Sequence, residues 1–84
     1  MPKKEPVSAE EIAAVENMIR GNIAGAGSNV TDTARRIAEE YKHPVDMPSF
    51  SRQIREGTIP FWRVLRIADV LGYEIVWKKK ESQQ

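Results

Sequence analysis

Apolar residues recur along this chain with a helical period until residue 71 and with an alternating one after it. Ile12, Val15, Ile19 and Ile23, with Met18 beside them, stand three or four apart and predict a first helix. Ser8-x-x-Glu11 has the spacing of a capping box at its start, and the glycines of "GAGSN" end it. Gly21 lies inside the helix at a propensity cost of up to about 1 kcal/mol, which predicts a close approach to another helix there. In "NVTDTARRIAEEYK", Ala34, Ile37, Ala38 and Tyr41 form the stripe of a second helix, capped by Asn29 or Thr31. The small Ala34 and Ala38 admit a close neighbour. Arg35, Arg36, Glu39 and Glu40 are expected as i,i+4 pairs of opposite charge, and Pro44 stops the helix.

The stretch "DMPSFSRQIREGTIP" predicts a short third helix. Asp46 is its N-cap, Pro48 is tolerated in its first turn, and Gly57 suits a left-handed end. Met47, Phe50 and Ile54 fall on one side as the anchor. Pro48, Ser49, Arg52, Arg55 and Glu56 fall opposite, with Ser51 and Gln53 at the flanks. A helix this short is not stable alone, so packing must hold it. "PFWRVLRIADVLG" then predicts a fourth helix, apolar on most sides and therefore central to the core, capped by Gly72. In "YEIVWKKK" Tyr73, Ile75 and Trp77 alternate with Glu74, Val76 and Lys78, the pattern of a β-strand that must pair with a second copy, a partner or the N-terminal segment. The expected fold is all-α, a compact domain of four to five helices over residues 8–77 with a short C-terminal strand. Residues 1–7 are expected as a disordered tail and 78–84 as a basic, polar one.

Composition narrows the function. Eighty-four residues suit one small domain, and 40% hydrophobic content suffices for a modest core. No apolar run approaches the roughly 18 residues of a membrane span, and the N-terminus lacks the apolar stretch of a signal peptide. Without cysteine there is no disulfide, thiolate ligand or thiol nucleophile. These readings predict a soluble cytoplasmic protein. The net charge of +1 conceals an asymmetry: residues 1–19 sum to −2 and residues 42–66 to +3, followed by Lys78, Lys79 and Lys80. A local basic face suits a polyanion, although a plain solvated surface has the same composition.

Three segments carry a family resemblance. "TARRIAEEY", then "SFSRQIREG", then "WRVLRIADVLGY" resemble the lambda-repressor/Cro-like, or XRE-type, helix-turn-helix domains. The matching positions are Ile37–Ala38, Phe50–Ser51–Arg52, Gly57, Leu65, Ile67–Ala68 and Leu71–Gly72. The likeness spans roughly residues 12–73, and "LRIADVLG" is its most specific part. Two departures stand out. Lys42 occupies a turn position where the family has glycine, and the turn is about two residues longer, with Pro44 inside it.

The resemblance implies a lambda-repressor-like fold that binds double-stranded DNA with residues 47–56 in the major groove, in a small transcription regulator. Arg52 and Ser49 are the leading base contacts, with Ser51 and Gln53 beside them. Arg55, Lys42, Thr31 with the amides at the start of the second helix, and Arg63 or Arg66 are candidates for the phosphates. The plain alternatives are a solvated helix face, a packing role for Ser51 and an Arg66–Asp69 pair. Tyr73, Ile75 and Trp77 are the expected homodimer interface. The competing arrangement folds the strand back onto the first helix with Trp77 buried. A second function on the same fold is a protein-interaction module, such as an antitoxin or regulatory adaptor, using those residues and the acidic first helix. An enzyme is not indicated: His43, the single histidine, adjoins a proline, with no carboxylate pair, metal-ligand cluster or glycine-rich phosphate loop. No catalytic residue, metal, cofactor or small-molecule ligand is expected.

Overall fold

The computed structural model describes residues 5–81. Four helices account for its regular structure: α1 (Ala9–Gly25), α2 (Val30–Tyr41), α3 (Met47–Glu56) and α4 (Phe61–Leu71). The expected tails lie partly outside the described residues, at 1–4 and 82–84.

Three helices begin on side-chain caps. Ser8 and Glu11 form the reciprocal capping box, with the Ser8 amide donating to Glu11 Oε1 at 2.9 Å and the Glu11 amide to Ser8 Oγ at 3.1 Å. Asn29, not Thr31, caps α2 by accepting from the Asp32 amide at 2.7 Å. Asp46 caps α3 by accepting from the Ser49 amide at 3.1 Å. α4 starts at Pro60 without a side-chain cap.

All four ends close in the same way. The amides of Ser28, His43, Thr58 and Tyr73 each donate to the carbonyl five residues back, at 2.8–3.2 Å. At α3 and α4 the turn passes through glycines, Gly57 at φ 70° and Gly72 at φ 83°. At α2 it passes through Lys42 at φ 56°, the single non-glycine residue of positive φ among the described residues. The departure from glycine noted in the sequence therefore leaves the left-handed turn in place, on a residue less suited to it.

The core is formed by Ile19, Ile23, Ala34, Ile37, Phe50, Ile54 and Ile67, with Thr33 fully enclosed among them. Its hydroxyl is 3.1 Å from Ser28 Oγ, which satisfies it where water is excluded. α1 packs chiefly on α3, and α2 on α4. Gly57 is held by α1 as well as by its backbone angle, since a Cβ there would stand 3.4 Å from Ile12 Cα.

Four expectations need correction. A Cβ on Gly21 would meet nothing within 4 Å, so it marks no helix crossing. Arg36 pairs backward with Asp32 (Nε–Oδ2 3.0 Å) rather than forward with Glu40, because Asp32 offers its carboxylate one turn earlier; Arg35–Glu39 forms as expected at 2.9 Å. α4 is not central: Ile67 is its one buried residue, and Phe61 and Leu65 are 53% and 46% exposed. It lies against the other helices on one side, so a ring of apolar residues cannot all be covered. Finally, no strand occurs among the described residues. Residues 73–81 run as an irregular segment, because a single copy supplies no ladder partner. The competing burial of Trp77 on α1 does not occur either, for its side chain is 89% exposed.

Candidate nucleic-acid interface

α3 is divided lengthwise. Phe50 and Ile54 are 0% exposed and Met47 is half-buried, all packed into the core. Arg52, Arg55 and Glu56 are exposed on the other side, and Ser49, Ser51 and Gln53 are half-buried at the margins. The outer face thus presents two guanidinium groups, two hydroxyls and an amide. Arg52 Nη2 rests 3.4 Å from Ser49 Oγ one turn back, a long contact that leaves the guanidinium extended along the helix. Asp46, at the start of this face, has its carboxyl held below the usual range. The Ser49 hydroxyl and then the Ser49 amide stabilise its charged form, with Arg52 adding to them.

Arg63 joins this face from α4. Its Nη1 donates to Gln53 Oε1 at 3.1 Å, a bond between residues ten positions apart. Its guanidinium carbon lies 4.8 Å from the Trp62 ring centroid and 5.8 Å from that of Phe50. Nothing among the described residues accepts from its buried Nε. Arg63 is thus a half-buried group fixed by rings and by one amide, not an extended surface cation.

A second guanidinium continues the stack. Arg66 lies 4.4 Å from the Tyr41 ring and 4.9 Å from that of Trp62. The alternative considered for Arg66, a pair with Asp69, does not form; Asp69 accepts instead from the Tyr41 hydroxyl at 2.8 Å. That bond, with burial second, pushes the Tyr41 hydroxyl above its ordinary range. The rings and guanidiniums in the order Tyr41, Arg66, Trp62, Arg63, Phe50 therefore tie α2, α4 and α3 together. No sequence signal marked this alternation, since its members come from three helices.

The other candidates stand apart from this cluster. Lys42 is exposed at the left-handed end of α2, and Thr31 is exposed in its first turn. Beside Thr31, Asp32 gathers the Ser28 hydroxyl at 2.8 Å, Arg35 Nη2 at 2.6 Å and Arg36 Nε at 3.0 Å. Its carboxyl lies below the usual range, chiefly through Ser28 and then Arg35. The N-terminus of α2 already faces an anion of the chain's own, with both neighbouring arginines turned to it. His43 is exposed, its Nδ1 3.0 Å from the Pro44 carbonyl.

Tyr73 turns back to α1, its hydroxyl donating to the Asn22 carbonyl at 3.3 Å. Together with Ile75 it borders a groove of about 240 Å³ between α1 and α4, also lined by Met18, Phe61, Val64 and Leu71. Trp77 lies beyond it in solvent. Among the described residues no helix is long and apolar enough to cross a membrane, and no group of three or more His, Cys, Asp or Glu side chains could hold a metal ion. No family model matches the chain, and neither a curated protein nor a solved structure matches it.

Proposed function

We propose that this chain is a sequence-specific binder of double-stranded DNA, a small transcription regulator acting in the cytoplasm through a helix-turn-helix of the lambda-repressor/Cro-like type. The observation that carries the reading is the division of α3: an apolar edge locked into the core and a face of Arg52 and Arg55 left outside, with Ser49 half-buried at its margin. Ten residues make a rod about 15 Å long and, with side chains, about 10–12 Å across, a thickness that fits a major groove about 12 Å wide. Arg52 can fork onto the two acceptors of guanine, and Ser49, one turn earlier, reaches base or phosphate. Ser51 and Gln53 flank them. Arg55, Lys42 and Thr31 serve the phosphates, and Arg63 acts from behind through Gln53. The protein works as a homodimer joined through Tyr73, Ile75 and Trp77. The exposed apolar side chains of residues 73–77 and the backbone of residues 74–77, which lies outside any ladder, favour pairing with a second copy. Two α3 helices about 34 Å apart then call for a palindromic site.

Selection of bound sequences from a random duplex pool at near-physiological salt tests the reading. An enriched motif with two-fold symmetry is expected, together with a steep fall of affinity with salt. Failure to enrich any motif sinks it. Sedimentation at micromolar concentration, with and without residues 74–84, tests the dimer: the full chain should sediment as a dimer and the shortened one as a monomer.

A second reading, a protein-interaction module such as an antitoxin or adaptor, draws on Trp77, Phe61, Leu65 and Met18, all exposed apolar side chains. Affinity for a partner protein that is nearly insensitive to salt, without DNA enrichment, would select it.

A further inference from the structure

We propose that Arg63 fixes Gln53 as a donor-only reader, so that the base pair it faces is chosen for hydrogen-bond acceptors, guanine first. The inference rests on the DNA-binding reading and deepens it. A free glutamine reads adenine at two points, its oxygen accepting from N6 while its nitrogen donates to N7. Here Arg63 Nη1 donates to Gln53 Oε1 at 3.1 Å, which takes one of the oxygen's two lone pairs and turns that end of the amide toward α4. A guanidinium offers donors only, so the amide cannot turn end for end without setting donor against donor. Its oxygen therefore points to α4, and its nitrogen is the end left for a ligand.

Arg63 is not free to follow Gln53 outward. Its guanidinium lies over Trp62 and against the buried Phe50, at 4.8 and 5.8 Å, and Gln53 is the acceptor of its Nη1. Moving out would give up both rings and that bond. The amide of Gln53 thus faces the groove with two N–H groups. Guanine shows two adjacent acceptors, O6 and N7; adenine shows N7 and thymine O4; cytosine shows a donor. An amide reduced to donors ranks guanine first and cytosine last.

The experiment compares motifs selected from a random duplex pool by the wild type, Gln53→Ala, Arg63→Met, Arg63→Lys and the Gln53→Ala/Arg63→Met double variant. The wild type should show one position at which guanine exceeds adenine by about tenfold, the scale of one good side-chain contact to a base. Gln53→Ala should flatten that position alone. Arg63→Met keeps the apolar stem but releases the amide oxygen, and should move the preference at that position to adenine. Arg63→Lys, which still donates, should hold guanine. In the Gln53→Ala background, Arg63→Met should change nothing there. A loss of affinity for all sequences alike in Arg63→Met, with guanine still preferred, would make Arg63 a phosphate contact and overturn the proposal. So would a motif in which no position responds to Gln53→Ala, while leaving the DNA-binding reading intact. A pool with no enriched motif overturns both. Should Arg63→Met fail to fold by circular dichroism, Gln53→Glu decides: it keeps an acceptor for Arg63 but brings no donor, and guanine preference that survives it overturns the proposal.

Discussion

α3 and α4 are nearly equal in length, both follow a proline-marked turn, and both end on a left-handed glycine, yet they use apolar residues in opposite ways. α3 has two large ones in its body, Phe50 and Ile54, and encloses both completely. α4 has eight apolar residues and buries only Ile67, which is still 4% exposed. Apolar content is therefore a poor guide to centrality in so small a domain. α3 is held along its apolar edge by α1 and α2, whereas α4 rests mainly on α2 and keeps a flank in solvent. The helix with fewer apolar residues is the better anchored, and its remaining face is free to be polar. The surplus on α4 borders the groove where residues 73–75 lie.

The sharpest way to break this comparison is to truncate one aromatic on each helix. Phe50→Ala should cost about 3–5 kcal/mol of unfolding free energy, the range for a fully enclosed ring. Phe61→Ala, half-exposed, should cost about 1 kcal/mol in the monomer. Equal losses in urea denaturation would show that α4 is as central as its composition suggests.

On the binding side, Arg52→Ala should weaken specific DNA binding by about 1–3 kcal/mol and relax preference at one base pair, with the melting temperature unchanged. Unaltered affinity and preference in a titration would remove Arg52 from the readers. The polar face of α3 would then be a solvated surface, no different in kind from the outside of α2.

The two glycines facing different surroundings give a smaller contrast of opposite sign. Gly57→Ala places a side chain at φ 70° and 3.4 Å from Ile12 Cα, and should destabilise by about 1–2 kcal/mol. Gly21→Ala enters open space in mid-helix and should stabilise by up to about 1 kcal/mol. A loss at Gly21 would indicate a contact on α1 that a single copy lacks, which sedimentation could confirm.

The smallest effect concerns acid. Hydrogen bonds from Ser49 lower the Asp46 carboxyl in the folded chain, and Ser28 with Arg35 lowers that of Asp32, from an ordinary value of 3.8. A depressed folded value means the stabilisation is complete above the unfolded value and is lost as pH falls through the folded one. The urea midpoint should therefore hold from neutrality to about pH 5 and decline below 3.8. Asp46→Asn, which keeps a capping oxygen, should shrink that decline. An unchanged acid profile would leave Asp46 without an electrostatic role.

Local rules settled much of this protein before any packing was considered. Ser8 with Glu11, Asp46, Gly57 and Gly72 each act on backbone groups within a few residues, so their roles follow from spacing alone. The facing of α3 is of the same kind, because a helical period sends Met47, Phe50 and Ile54 to one side whatever they meet there. What packing decided lies between residues far apart in the chain. Arg63 reaches Gln53 ten positions away, Tyr41 reaches Asp69 twenty-eight away, and Arg66 leaves its neighbour Asp69 for two rings. Which apolar residues of α4 are covered is a property of where α2 lies, and the strand pattern of residues 73–77 stays without a ladder because one copy offers no edge to pair with. Periodicity and caps act over a single turn, whereas a guanidinium chooses among all the rings and acceptors that the packed helices bring within its reach.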